Sequence, residues 1–398
     1  MVFVASAAMA LGQGSLFSFS VFLKPIAAEF GWARGETALA YTSATFLNGL
    51  FGIAMGMLAD RYATRPIVLM GSVVLGGALV LLSRMDSLWQ FYIYYGALMG
   101  GFALGAFLTP LVTNVGFWFE RNRGVALGIV LAGQSLGGTL MPLYARWLLD
   151  NLGWRDAYLI MGLTAWAVVV PLALLIREAP GVEEAKVISR AAGAHPGARG
   201  IRPGVMAGVL GAAIVLCCIN MSIPIVHLVA LGTDKGISRE NAATVLALMM
   251  FASIFGRVGI GKVSDWIGGM RALFLASSVQ TLMIYGFPMA EGLPQLYVVA
   301  LLFGVGYGGV IPAYAIIIRE VMPMHLAGWA VGIVFFFGNV GMGIGGFLGG
   351  WLYDLSGSYN LSYATGAATG VMNLLIVGSL IWRYGRPQAP LQPVTDLA

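Results

Sequence analysis

Charged residues are scarce in this chain. Asp, Glu, Lys and Arg make up 10% of its 398 residues, and apolar residues make up 59%. Soluble domains carry roughly 25% charged residues. A soluble fold is therefore excluded. The uncharged runs 66–83, 157–176 and 294–318 are each long enough to cross a hydrocarbon core of about 30 Å as a helix.

Cysteine and histidine are also rare. The two cysteines, Cys217 and Cys218, are adjacent and cannot form an ordinary disulfide on one helix. The three histidines, His195, His227 and His325, are too scattered to form a metal-ligand cluster. The runs "GMGIGG" and "GVGYGG" follow no strand, so they do not indicate nucleotide binding. We therefore expect no enzyme, no cofactor, no metal and no nucleic-acid partner.

Apolar runs separated by short joints predict an all-α polytopic membrane protein with twelve transmembrane helices. The first run begins at Met1, and its length together with the runs behind it favours a retained helix over a cleaved signal peptide. The predicted spans are 1–29, 37–59, 66–83, 88–118, 124–149, 156–176, 203–231, 241–264, 272–288, 294–318, 327–353 and 359–382.

Lys and Arg are distributed unequally between alternate joints. With the amino terminus inside, the inner joints hold twice as many basic residues as the outer joints. The inner set is Arg61, Arg65, Arg121, Arg123, Arg177, Lys186, Arg190, Arg199, Arg202, Lys262, Arg271, Arg319, Arg383 and Arg386; the outer set is Lys24, Arg34, Arg84, Arg146, Arg155, Lys235 and Arg239. The positive-inside rule then predicts cytoplasmic termini and, for a prokaryote, the inner membrane.

Four spans end on an aspartate at regular spacing. Asp60 and Asp150 lie 90 residues apart, Asp265 and Asp354 lie 89 apart, and the pairs are offset by 205 and 204 residues. Such a repeat predicts two pseudo-symmetric six-helix halves that rock about a central cavity. The expected halves are 1–176 and 203–383, with a cytoplasmic linker at 177–202 and a cytoplasmic tail at 384–398. Since one chain holds both halves, we expect a monomer to function.

Arg257 lies deeper in a predicted span than any other charged residue. It is eight residues before Asp265, about 12 Å inside the membrane as a helix. A guanidinium stays protonated and costs at least about 2.5 to 3.5 kcal/mol at helix centre. No span carries an Asp or Glu at that depth, so the sequence predicts that a carboxylate cargo supplies the anion. Alternatively, the Arg257 side chain extends toward the membrane surface or pairs with carbonyl groups at a helix end.

Polar and aromatic residues at similar depth are candidates for the rest of a small-acid cavity. Any one of them could instead make a contact between helices. They are Gln13, Phe17, Gln134, Asn220, Tyr307, Phe335 and Asn339. We rank Tyr307 first because we expect "GVGYGG" to leave space around it. His227 is the candidate proton carrier. There are two alternatives. His227 is a structural residue bonded to a backbone carbonyl, or the substrate is bound as its neutral acid and carries its own proton.

Several motifs resemble the major facilitator superfamily. "GMLADRYATR", Gly56 to Arg65, is similar to its loop signature, and "GKVSDWIGGMR", Gly261 to Arg271, is a partial copy. We expect Asp60, Arg61, Arg65 and Asp265 to form a latch between helix ends, or to be simple topology charges. Gly56 and Gly261 are expected to let helices approach closely.

Two further stretches narrow the resemblance to the monocarboxylate porter family. They are "FWFERNRGVALGIVLAGQSLGG", Phe117 to Gly138, and "VFLKPI", Val21 to Ile26. The family's eighth helix carries an anion-binding arginine, which Arg257 matches. Animal members have an acidic residue four positions earlier and a lysine on the first helix, where this chain has Ser253 and Phe17. Their proton route therefore does not carry over.

The resemblance implies symport of a small monocarboxylate such as L-lactate or pyruvate with a proton. A proton cancels the cost of about 2.3 kcal/mol for moving an anion inward against 100 mV. The alternative is an organic anion exchanger of the oxalate/formate type, without net proton movement. Oxalate is a dianion and would be expected to need two cations at this depth. Only Arg257 lies there, so oxalate is disfavoured as the substrate.

Overall fold

The computed structural model describes residues 1–118, 123–178, 203–322 and 324–384; for some of these, including Asp60, Arg61 and Asp265, it describes the backbone alone. We label one helix for each span. The spans are α1 (Val2–Phe17 and Phe19–Phe30), α2 (Arg34–Tyr62), α3 (Thr64–Leu82), α4 (Leu88–Phe91, Tyr92–Leu104 and Leu108–Trp118), α5 and α6 (within Arg123–Leu174), α7 (Pro203–Asp234), α8 (Arg239–Ile267), α9 (Gly269–Ile284 and Gly286–Met289), α10 (Leu293–Val321), α11 (Met324–Ser356) and α12 (Asn360–Tyr384).

The predicted all-α fold with twelve spans is confirmed. Eleven helices of the described residues are long and apolar enough to cross a membrane. One of them, within Arg123–Leu174, contains two spans, because Gly153 has a φ of 82° and breaks the helical path. A positive φ suits glycine, which has no Cβ to clash. Gly153 therefore separates α5 from α6.

We call α1 to α6 and α7 to α12 the two halves of the chain, and four helices form most of the contact between them. We call the end of the bundle that holds Met1 the near face and the opposite end, at residues 30–34 and 234–239, the far face. Between the halves, α2 packs along α11 and α5 packs along α8. These are the four spans that end on the repeated aspartates. The repeat therefore marks the helices that line the boundary between the halves.

Glycines allow several helix pairs to approach to backbone contact. A Cβ on Gly137 of α5 would lie 1.9 Å from the carbonyl oxygen of Ala10. Small residues provide close packing of this kind in membranes. Gly56 was predicted to have this role and does, since its Cβ would lie 2.8 Å from Thr109 of α4. The same role is not seen for Gly261, because no atom of the described residues lies within 4 Å of its Cβ position.

Other sequence predictions concern the joints and the cysteines. The linker beyond Glu178 and the tail after Tyr384 lie outside the described residues. Cys217 and Cys218 are both free and buried, as expected for neighbours on one helix. The π-helical geometry of Tyr92–Leu104 in α4 was not predicted.

Candidate functional site

Arg257 lies on α8 at the boundary between the halves. It is ten residues from the end of the helix at Ile267, about 15 Å from the near face. The residue is 8% exposed, and Nε and Nη1 have no hydrogen-bond partner. Among the described residues no carboxylate lies within the 4.0 Å that defines an ion pair with Arg257. The buried Arg257 guanidinium therefore has no counter-ion among the described residues.

Two neighbouring residues of α5 meet α8 at this level. Arg257 Nη2 donates to Gln134 Oε1 at 3.4 Å. One helical turn closer to the far face, Ser253 Oγ donates to Ser135 Oγ at 2.9 Å. Ser253, which the sequence resemblance matched to an acidic position, here joins the two halves through a neutral hydrogen bond. The arginine is thus held by a neutral partner and keeps its charge uncompensated.

Tyr307 of α10 is buried, and its side chain lies within hydrogen-bonding reach of the Arg257 guanidinium. The glycines around it do not leave the space that the sequence suggested. A Cβ on Gly304 would lie 2.2 Å from the carbonyl oxygen of Met249, and one on Gly308 would lie 2.0 Å from that of Ser253. These glycines instead bring the α10 backbone directly onto α8. They fix Tyr307 beside Arg257.

Gln13 and Phe17 share one face of α1, four residues apart. The Phe17 ring and the Met250 side chain of α8 both lie against Gly138 of α5. Gln13 lies one turn closer to the near face, just as Gln134 lies one turn from Gly138. Gln13 is buried, and its Nε2 has no partner. Gln13 Nε2 is therefore an unpaired donor of the N-terminal half at about the depth of Gln134.

Asn339 and Phe335 lie on α11, where it faces α2. Asn339 Nδ2 donates to the Phe335 carbonyl oxygen of its own helix at 3.0 Å, and its Cβ packs on Gly49. Both residues are half-buried. They border the seam between the halves rather than the immediate surroundings of Arg257.

Asn220 of α7 is oriented away from the seam. Its Nδ2 donates to the Gly366 carbonyl oxygen of α12 at 3.0 Å, inside the C-terminal half. The depth of Asn220 was predicted from its position in the span, but the side of α7 on which it lies was not. Its geometry is that of a contact between helices.

Charged residues join the halves at the far face. Asp234, at the end of α7, accepts from Lys24 Nζ at 2.7 Å and from Arg34 Nη1 at 2.6 Å. Asp354, at the end of α11, accepts from the backbone N–H groups of Arg34 and Gly35 at 3.1 and 2.7 Å. The Asp354 carboxylate thus caps the first turn of α2, where free N–H groups favour an anion. We call Lys24, Arg34, Asp234 and Asp354 the far-face lock.

His227 is buried on α7 behind this lock. Its Nε2 lies 2.8 Å from the Gly346 carbonyl oxygen, which only accepts, so Nε2 carries the hydrogen. Nδ1 then accepts from the Tyr359 hydroxyl at 3.2 Å, and that hydroxyl accepts from Arg34 Nη1 at 2.9 Å. A chain of hydrogen bonds therefore runs from Arg34 to His227. The contact with a backbone carbonyl is the alternative that the sequence left open.

The near-face latch is only partly described. The side chains of Asp60, Arg61 and Asp265 lie outside the described part, and Arg65 is exposed. At the same face Glu178 Oε1 accepts from the backbone N–H groups of Thr64 and Arg65 at 2.6 and 3.1 Å. A carboxylate from the end of α6 therefore caps α3.

Sequence reasoning missed the far-face lock and the Ser135–Ser253 bond. Charges near the ends of spans are ordinary topology signals. The pairing of Lys24 and Arg34 with Asp234 therefore left no pattern along the chain. Asp354 did belong to the repeat, and its position beside α2 could have been inferred once the repeat was assigned to the seam. Ser135 gave no signal among many small residues.

Known proteins with similar sequences are transporters. The chain is 28% identical to "Monocarboxylate transporter 13" of Rattus norvegicus over 375 residues, covering 90% of this chain and 83% of that protein. It is 24% identical to "Monocarboxylate transporter 2" of Homo sapiens over 414 residues, covering 96% and 84%. It is also 26% identical to the "Uncharacterized MFS-type transporter YcxA" of Bacillus subtilis (strain 168) over 364 residues, covering 89% and 88%.

Solved structures and a family model agree with the fold. A bacterial homolog of the human lysosomal transporter Spinster, in an inward-facing and occupied conformation, aligns with a TM-score of 0.74 at 17% identity and covers 98% of both chains. At that identity the likeness shows a shared fold. The model of the Major Facilitator Superfamily matches residues 2–346 and again 208–396. The protein is therefore an integral membrane transporter, not an enzyme, and belongs to the Major Facilitator Superfamily.

Proposed function

We propose that the protein moves small monocarboxylates such as L-lactate or pyruvate across the membrane together with a proton. The observation that carries this proposal is the buried, incompletely paired Arg257 at the seam between the halves. The names of the relatives, which include monocarboxylate transporters of mammals, support the same substrate class.

A carboxylate satisfies Arg257 better than any neutral group. Two parallel N–H to oxygen bonds match guanidinium to carboxylate, and charge-assisted bonds are roughly twice as strong as neutral ones. Tyr307 and Gln134 hold the guanidinium in place, and Gln13 supplies a further donor from the opposite half. Phe17, Phe335 and Asn339 would border the cavity, while Asn220 is the weakest of the predicted ligands. A substrate bound here would contact both halves at once.

The far-face lock supports a transport cycle by alternating access. In this structure charged groups join the halves at the far face, so the transport cycle must break these contacts to open it. We place the near face and both termini in the cytoplasm of a prokaryotic cell, an orientation that the excess of basic residues supports, and we take the halves as 1–176 and 203–383. Asp60, Arg61, Arg65 and Asp265 would form the corresponding latch when the near face closes. One chain contains both locks, so a monomer suffices.

His227 is our candidate for proton coupling. Protonation would place a second N–H on Nδ1, which could no longer accept from the Tyr359 hydroxyl. It would also add a positive charge behind Arg34, whose side chain holds the lock closed. A proton arriving from the far side would therefore favour opening. Entry of the substrate as the neutral acid is the alternative route for the proton.

Uptake of labelled L-lactate into proteoliposomes tests the proposal. With acid imposed on the side of the far face, we expect uptake that follows the gradient and is abolished by a protonophore. Label that moves only when the vesicles are preloaded with another acid would instead show an exchanger. No movement of L-lactate or pyruvate under either condition would refute the substrate class.

A further inference from the structure

Three helices at the seam share a two-level pattern, with a polar residue toward the near face and a non-polar residue toward the far face. The two residues are four positions apart on α1 and α5 and seven positions apart on α8, so each pair lies on one side of its helix. The polar level consists of Gln13, Gln134 and Arg257, and the non-polar level consists of Phe17, Gly138 and Met250. The polar level therefore has a non-polar layer on its far side.

The non-polar level is closely packed. A Cβ on Gly138 would lie 2.9 Å from Phe17 Cδ2 and 3.0 Å from Met250 Cγ, so both side chains meet at one point on α5. Phe17 is 3% exposed and Met250 is fully buried. We call Phe17, Gly138 and Met250 the roof.

The distance between the two levels can be read along α5. The Arg257 guanidinium donates to Gln134, and the roof packs on Gly138, which is four residues closer to the far face. Four residues of helix rise about 6 Å, which equals about four carbon–carbon bonds laid end to end. The separation of the two levels therefore matches the length of a short acid.

We propose that the roof sets the longest acid that the transporter accepts, with the carboxylate at Arg257 and the hydrocarbon end against Phe17 and Met250. This inference rests on the proposed function, because it takes Arg257 as the carboxylate site. A hydrocarbon end gains free energy when it leaves water for a surface of buried apolar side chains. Straight-chain acids of up to about four carbons fit below the roof, whereas longer acids must displace it.

The roof is built from both halves. Phe17 and Gly138 belong to the N-terminal half, where α1 and α5 are in backbone contact at Ala10 and Gly137. Met250 belongs to α8 of the C-terminal half. Separating the halves at the far face would therefore remove Met250 from the other two residues, and closing that face would rebuild the roof over the bound acid. The limit on length is thus applied when the far face closes.

Thermal unfolding of the purified full chain with straight-chain acids from acetate to octanoate tests the roof. An acid that binds the folded chain raises the melting temperature, so the longest acid that raises it measures the limit. Met250→Ala removes the side chain beyond Cβ, a length of about three bonds, and should extend the limit by about two to three carbons. Since one methylene in a hydrophobic pocket changes selectivity by about tenfold or more, hexanoate should bind Met250→Ala at least about tenfold more tightly than it binds the wild type.

Matched variants control for a general loosening of the fold. Met249 is also fully buried and precedes Met250 directly, but it lies about 100° round α8, so Met249→Ala should keep the wild-type limit. Phe17→Leu is a milder change to the roof and should also improve the binding of hexanoate, which provides a second test if Met250→Ala does not fold. Its control is Phe22→Leu, because the Phe22 ring stacks on Tyr158 inside the N-terminal half.

The outcomes separate the roof from the proposed function. If L-lactate stabilises the wild type and the variants, but the limit is unchanged in Met250→Ala and Phe17→Leu, the roof is refuted and the proposed function stands. A limit that moves equally in Met249→Ala also refutes the roof, since the effect would then come from α8 as a whole. If no acid of any length stabilises the wild type or the variants, the proposed function is refuted and the roof with it.

Discussion

Replacing Asp234 with Asn should shift the conformational equilibrium of the transporter. The Asp234 carboxylate, 26% exposed, accepts charged hydrogen bonds from both Lys24 and Arg34 across the seam. Partly exposed ion pairs of good geometry contribute up to about 1 kcal/mol each. Losing both would therefore cost the closed far face about 2 kcal/mol. Since 1.4 kcal/mol is a factor of ten, the far-open population should rise about 30-fold.

Thiol labelling measures this population. Thr42 of α2 is half-buried and donates to the Gly343 carbonyl oxygen of α11 at 2.7 Å, so a Thr42→Cys thiol lies against the other half while the far face is closed. With Cys217 and Cys218 replaced by Ser, a maleimide in detergent solution should label this thiol about 30-fold faster in the Asp234→Asn background. The rate reports the open fraction while opening and closing are fast relative to labelling.

A matched variant separates the lock from surface charge in general. Glu240 also faces the opposite half, 3.5 Å from Arg146, but is 67% exposed on its side chain. Glu240→Gln should therefore change the labelling rate by less than about threefold. Equal rates in the wild type and Asp234→Asn would refute the reasoning, because the lock would then contribute nothing to closure.

Three further predictions follow from the site. Gly308→Ala should lower the melting temperature by several degrees, since its Cβ would meet the Ser253 carbonyl oxygen at 2.0 Å. Gly332→Ala should not, because no atom of the described residues lies within 4 Å of that Cβ position. Gln134→Leu should raise the KM for L-lactate about fivefold, because about 1 kcal/mol of positioning of Arg257 is lost; an unchanged KM contradicts the role of Gln134. Maleimide reacts with the thiolate, so the Thr42→Cys labelling rate is divided at each pH by that of a freely exposed cysteine. This ratio should rise as pH falls through protonation of His227, and His227→Gln should flatten the rise; a variant that keeps the wild-type profile excludes His227.

The sequence predicted the features that depend only on the position of a residue along its helix. Lipid forces each spanning segment to satisfy its backbone internally, so hydropathy alone located twelve spans. The spacing of Asp60, Asp150, Asp265 and Asp354 identified four related helices, and the structure shows that these form the seam. The depth of Arg257, and the absence of an acid at that depth, could likewise be counted from span ends.

The rotation of each helix about its axis could not be predicted in this way. A span that is apolar on every side gives no periodic signal to show which face meets which neighbour. For that reason the orientation of Asn220 toward α12 was missed. Pairing between distant joints was missed for a related reason, since Lys24 and Asp234 lie 210 residues apart. Contacts of this kind depend on how the halves dock.

Equilibrium binding of labelled L-lactate to the purified transporter tests the role of Arg257 most directly. Removing one partner of a buried, hydrogen-bonded charge pair costs about 2 to 5 kcal/mol. We therefore predict that Arg257→Gln weakens binding at least about 30-fold. Arg155→Gln, at the far face of the N-terminal half, should bind as the wild type does. Binding by Arg257→Gln with wild-type affinity would contradict the account.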